Sequence, residues 1–121
     1  MMGQQQKTQT VLFLAECPRL KIGVKLFQQT WEEHIKPFKP LEDQHLSLLE
    51  TIIKNCDEQQ PVWYKVRNPK RLCIVKQVPH FLPHNKFILI ALNRYADNMA
   101  CVTSAYPVDE LPAKDRGYQL L

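Results

Sequence analysis

The chain has 121 residues, 45% of them hydrophobic, and a formal net charge of +4 from 16 basic and 12 acidic side chains. That length allows one domain with a single modest core. The longest uncharged apolar run, Phe87 to Leu92, is far too short to span a membrane, and the mild basic excess fits a polyanionic partner.

Residues 1–10 are polar, with Gln4, Gln5 and Gln6 in a row, and read as a flexible tail. Val11 to Cys17, ended by Pro18, reads as a buried strand. Ile22, Val24 and Leu26 alternate with Lys21, Gly23 and Lys25, the mark of a half-buried strand. Thr30 then opens a short helix. The Thr30-x-x-Glu33 spacing predicts a capping box with Trp31 at the first helical position, and Pro37 and Pro40 close it. A second helix is expected over residues 41–56, with Leu41, His45, Leu48, Leu49, Ile52, Ile53 and Cys56 on one face.

The remainder reads as strands. Val62 to Val66 and Leu72 to Val78 flank a turn at Asn68-Pro69. A loop with Pro79, Pro83 and Asn85 carries His80 and His84. Phe87 to Leu92 and Met99 to Tyr106 form an antiparallel hairpin around Asp97-Asn98. From Pro107 onward the chain reads as an irregular end. Strands, two helices and a run of antiparallel strands make an α+β pattern: a single domain over residues 11–109, with a C-terminal tail at 110–121.

The four cysteines, at 17, 56, 73 and 101, form no Cys-x-x-Cys pair, which argues against a zinc ribbon or a thioredoxin-type site. Three lie in apolar runs and read as buried small hydrophobes. With no signal peptide visible, free thiols in a reducing cytoplasm are expected.

Several polar residues suit cleavage of RNA without a metal or other cofactor. That reaction needs a base for the 2′-hydroxyl, an acid for the leaving oxygen, donors for the charged phosphorane, and a grip on the nucleotide. Histidine suits acid and base roles because it titrates near neutrality. His34 lies one turn after Trp31; taken alone, it also reads as a surface histidine. His45 lies on the apolar face of the second helix and equally suits a satisfied core position. His80 and His84 flank Pro83, so neither a helix nor a zinc site is expected there. On the last strand, alternation puts Val102, Ser104 and Tyr106 on one face, offering two hydroxyls to one site. Lys65, Arg67, Lys70, Arg71, Lys76, Lys86 and Arg94 are seven cations in a stretch without an acid. They suit a polyanion face, or equally strand edges guarded by charge.

The order of these features resembles a family. Trp31-Glu32-Glu33-His34-Ile35 matches a Trp-x-x-His-Ile motif. Ser104-Ala105-Tyr106 matches Thr-Ala-Tyr with the hydroxyl kept. Lys76 falls where a basic residue closes a strand, and Lys86 precedes the aromatic Phe87. Over residues 22 to 109 the chain resembles the phage-associated and toxin nucleases of the barnase, EndoU, colicin and RelE-like superfamily. The resemblance implies two N-terminal helices packed on a curved antiparallel sheet, and a metal-independent endoribonuclease, a toxin or a nuclease of a phage or mobile element. His34 and His45 would share acid and base duties, with Ser104 and Tyr106 orienting the phosphate or base. Lys76, Lys86, Arg71 and Lys65 would bind the substrate. RNA, giving a 2′,3′-cyclic phosphate, and an antitoxin or immunity protein are the implied partners. One departure stands out: the family follows its first histidine with His-Pro, where this chain has Lys39-Pro40 and reaches His45 only six residues later. Either an insertion has shifted the histidine or lysine has replaced it. The second case favours an inactive nuclease-fold module that binds RNA or a protein. A further alternative is an accessory protein of a mobile element.

Overall fold

The computed structural model describes residues 9–37, 41–78, 86–113 and 116–121. The predicted histidines His80 and His84 and the Lys39-Pro40 pair lie outside these residues. The architecture is α+β: seven strands in one sheet, ordered β1-β2-β6-β5-β4-β3-β7, with short helical segments on one face.

β1 (Val11–Cys17) and β2 (Ile22–Phe27) are strands, as their apolar patterns predict, and pair as an antiparallel hairpin; β1 is at the sheet edge and so is half-exposed, not buried as its apolar run suggests. In its turn Lys21 takes a left-handed φ of 57°. β3 (Val62–Lys65), β4 (Asn68–Gln77), β5 (Phe87–Ala96) and β6 (Met99–Val108) follow as a meander. The predicted turn at Asn68-Pro69 moves back to Val66-Arg67, because Asn68 already pairs with Lys65. Pro69 is tolerated because the rungs to β5 begin only at Arg71. The β5–β6 hairpin closes through Asp97-Asn98 as predicted, with longer strands.

Two features correct the expected sheet. It is mixed, not antiparallel throughout: β2 runs parallel to β6, with Val24 opposite Ala100. The C-terminal stretch is also not wholly irregular. β7 (Tyr118–Leu120) pairs with β3 at the opposite edge from β1, after a turn in which Gly117 takes a φ of 88° that glycine adopts without a Cβ penalty.

The helical layer lies between β2 and β3 in sequence. α1 (Gln28–Thr30) runs on as a π-helical turn, Trp31–Ile35. The Thr30 capping box is not formed: Thr30 is itself helical, at φ −61° and ψ −44°. The physical reason is that β2 leads straight into the helix. Phe27 takes the N-cap position, and the Gln28 N–H donates to the Thr10 carbonyl at 2.8 Å. α2 (Leu46–Lys54) follows a 3-10 turn at Asp43–His45, so the predicted 41–56 helix is shorter at both ends. Leu41 and Cys56 flank it but remain buried.

The main core lies between these helices and the sheet. Trp31, Ile35, Leu41, Leu49, Ile52 and Ile53 meet Val24, Ile74, Ile90 and Val102. Cys17, Cys56 and Cys73 are buried, Cys101 is half-buried, and all four are free thiols. The two helical segments are tied by one carboxylate. The Trp31 indole N–H donates to Asp43 Oδ1 at 2.9 Å, and Lys36 Nζ lies 3.1 Å from Oδ2. These donors, Trp31 foremost, hold the Asp43 carboxyl below the usual carboxylate range. A depressed folded-state pKa gives stability that is present above the unfolded value and lost as pH falls through the folded one. Replacing Asp43 with asparagine is therefore expected to flatten the loss of stability below about pH 4. Urea unfolding of the two proteins across that range checks this; an unchanged acid limb would contradict it.

No helix among the described residues is long and apolar enough to cross a membrane.

Candidate functional site

The sheet has a second face, opposite the helical layer, over which no helix lies among the described residues. Strand alternation turns Trp63, Cys73, Val75 and Leu89 away from the helices, where they form a small separate apolar patch with Phe87, Ala91, Val108 and Tyr118. Beside this patch lies a cleft of about 600 Å³, lined by Lys65, Leu89, Tyr106, Asp109, Arg116 and Tyr118 among others.

A bulge in β6 sets which hydroxyls reach this face. Ala91 pairs with Ser104 but Leu92 pairs with Val102, so Thr103 has no opposite number. Its Oγ1 donates to the Ala91 carbonyl at 3.2 Å. The extra residue reverses the alternation. Val102 and Ala105 both enter the main core, while Ser104 and Tyr106 point to the face opposite the helices. The expectation that Val102 shares their face is corrected; the pairing of Ser104 with Tyr106 holds.

Two of the predicted cations join them. Arg71 alternates onto the face of Cys73 and Val75. Lys65 sits opposite Tyr118 in the β3–β7 ladder, its Nζ 5.6 Å from the centre of that ring, within cation–π range. Among the described residues neither Lys65 nor Arg71 has a carboxylate partner. Lys86 has one: its Nζ is bonded to Asp109 at the rim. Glu110 lies 3.6 Å from Arg116 in an exposed pair. Burial, followed by the neighbouring Cys73, pushes both the Tyr106 and the Tyr118 phenols above their ordinary value. At neutral pH both therefore keep their protons and are able to donate to an anionic oxygen.

The other predicted residues lie elsewhere. Lys76 alternates with Leu72 and Ile74 and so falls on the helix side, opposite Ile88. His34 is exposed on the π-helical turn. His45 is half-buried, and its Nδ1 accepts the Glu42 N–H at 3.1 Å. With the Glu42 side chain accepting from the His45 backbone, this closes a reciprocal capping box at the start of the second helical segment. The sheet thus stands between the two histidines and the Ser104–Tyr106 pair. The expected constellation divides into two groups that do not meet. His45→Ala is expected to cost about 1 kcal/mol of stability through the lost cap and to leave the cleft unaltered. Urea unfolding checks the first part, and Tyr118 ring shifts by NMR check the second.

Tyr118, Arg116 and Asp109 were not anticipated from the sequence, because the stretch after Pro107 carries no long periodic pattern. The available signal was Gly117 followed by Tyr118-Gln119-Leu120, a turn residue before a short alternating segment.

No family model, curated protein or solved structure matches the chain.

Proposed function

We propose that this chain is an RNA-binding domain of nuclease-like type, with single-stranded RNA held along the polar rim of the sheet face opposite the helices. One juxtaposition carries the reading: Lys65 and Arg71, without carboxylate partners among the described residues, share that face with Tyr106, Tyr118 and Ser104. Cations without an internal partner attract phosphates, and aromatic rings beside them stack bases. Single-stranded RNA offers both at once, because its bases are free to splay onto a protein surface. The hydroxyl of Ser104 and the protonated Tyr106 phenol add donors for a non-bridging oxygen.

A second reading keeps the same face but ends in cleavage, as the resemblance to barnase, EndoU, colicin and RelE-like nucleases implies. The shared cleft of Tyr106 and Lys65, with Ser104 on the same face of the sheet, favours it. An antitoxin or immunity protein would then cover this face. The separation of His34 and His45 from these residues weighs against the two histidines as the acid–base pair.

Incubation with total RNA and tRNA in EDTA, beside fluorescence anisotropy with a labelled single-stranded oligonucleotide, separates the readings. Binding without cleavage is the expected result. Cleavage retained in a His34→Ala, His45→Ala double variant but lost in Lys65→Ala would favour turnover by the sheet face. Neither binding nor cleavage by the folded protein would remove RNA as the ligand.

A further inference from the structure

Cys17 ends β1 and Cys56 follows α2. Both are free thiols, fully buried, and both belong to the main core on the helix side. The backbone brings them together. The Arg19 N–H, two residues after Cys17, donates to the Cys56 carbonyl at 2.7 Å, and the two thiols are hydrogen-bonded to each other. Each stands next to the surface, since the residues that follow them, Pro18 and Asp57, are exposed.

The two sulfurs are not equivalent. Cys56 donates and Cys17 accepts. That bond, with the N–H groups of Leu20 and Arg19 and the nearby Arg19 guanidinium, holds the Cys17 thiol below its ordinary value despite burial. The same bond pushes the Cys56 thiol up, and burial adds to this. The thiolate is the nucleophile in thiol oxidation, and such donor-rich surroundings favour it. Burial pushes the Cys73 and Cys101 thiols up, so both stay protonated at neutral pH. Exposure alone would make the half-buried Cys101 the first to react.

We infer that Cys17 and Cys56 form a redox pair that a small hydroperoxide converts to an intramolecular disulfide, with Cys17 attacking and Cys56 resolving. The Cys17 thiolate attacks one peroxide oxygen and the O–O bond breaks. This gives a sulfenic acid and a hydroxide, which takes up the proton that Cys17 had lost. The Cys56 sulfur then attacks the Cys17 sulfur, the S–O bond breaks, and the departing hydroxide leaves as water with the Cys56 proton. Two thiols are oxidised while one peroxide is reduced to two waters. Hydrogen peroxide is close to water in size, so a local parting of the turn after β1 from the end of α2 admits it. The disulfide would close a loop over residues 17–56, which carries the whole helical layer. The pair lies across the sheet from Lys65 and Tyr106, so the inference stands apart from the RNA reading.

Exposure of the full chain at neutral pH to a small excess of hydrogen peroxide, followed by alkylation and peptide mapping by mass spectrometry, tests this. Free thiols are expected to fall from four to two, with Cys17 joined to Cys56 within one chain, and dithiothreitol should restore all four. Cys56→Ala should stop at a Cys17 sulfenic acid that dimedone traps. Cys17→Ala should slow oxidation of Cys56 by about tenfold or more. Circular dichroism checks that each variant folds, and the map of the unaltered chain decides the question without them. The inference is overturned if the native chain keeps all four thiols, if Cys101 reacts before the pair, if the link joins other cysteines or two chains, or if the pair reacts only after urea has unfolded the chain.

Discussion

Replacing Trp31 with alanine is expected to lower the unfolding free energy by about 3–5 kcal/mol. Trp31 is 2% exposed and is among the largest side chains wholly enclosed by the core. Its ring packs between the helical layer and the sheet, while its indole N–H reaches Asp43 at the start of the second helical segment. Truncation removes both contributions and leaves a cavity that a close-packed interior refills only in part. A domain of this size has about 5–15 kcal/mol in total, so the variant approaches the limit of folding. Trp31→Phe separates the terms, since it keeps most of the apolar volume and loses the hydrogen bond; about 1–2 kcal/mol is expected. Urea unfolding measures both, with the midpoint falling and the slope unchanged. A loss below 1 kcal/mol in the alanine variant would contradict the placement of Trp31 in the core.

The second large effect concerns the face opposite the helices. Tyr106→Ala is expected to weaken single-stranded RNA binding by about 1–3 kcal/mol, or roughly 5- to 150-fold. Tyr106 is 40% exposed, so the loss is expected in affinity with little change in stability. Lys65→Ala should act differently. A phosphate contact weakens binding to all sequences alike, and its removal lowers the salt slope by about 1. Tyr106→Ala should leave that slope nearly unchanged, because stacking releases no counterions. His34→Ala lies on the other side of the sheet and should change neither quantity. Anisotropy titrations over a series of salt concentrations distinguish these cases. An equal loss from His34→Ala would place the ligand on the helical layer instead.

Much of the fold is legible where one face of an element is buried. β2 shows its alternation, Leu49, Ile52 and Ile53 mark the apolar side of α2, and two apolar runs around Asp97-Asn98 announce a hairpin; the apolar run of β1 reads as a buried strand, but at the sheet edge Val11 and Leu14 are exposed. The parallel contact of β2 with β6 is not legible, because it joins segments more than 70 residues apart and leaves no local mark. β7 has only three residues, too few for any period to emerge. The site was legible in the same uneven way. Lys65, Arg71, Ser104 and Tyr106 do reach one face. The bulge at Thr103 was invisible, since Thr103 sits in an unbroken β-prone run. Lys76 illustrates a different limit. Leu72, Cys73, Ile74 and Val75 are all apolar, because β4 is buried on both sides by two separate clusters, and a continuous run does not say which face a following lysine takes. His45 suited both a catalytic and a structural position by its spacing; the 3-10 turn that makes it a cap is set by Glu42, three residues earlier.

The position of bound RNA is tested most directly by amide chemical-shift mapping of the full chain with a short single-stranded oligonucleotide. Shifts concentrated at Lys65, Arg71, Ser104, Tyr106 and Tyr118, with His34 and His45 unmoved, are the predicted result. Shifts concentrated on residues 31–35 and 43–49, with the face opposite the helices silent, would contradict it.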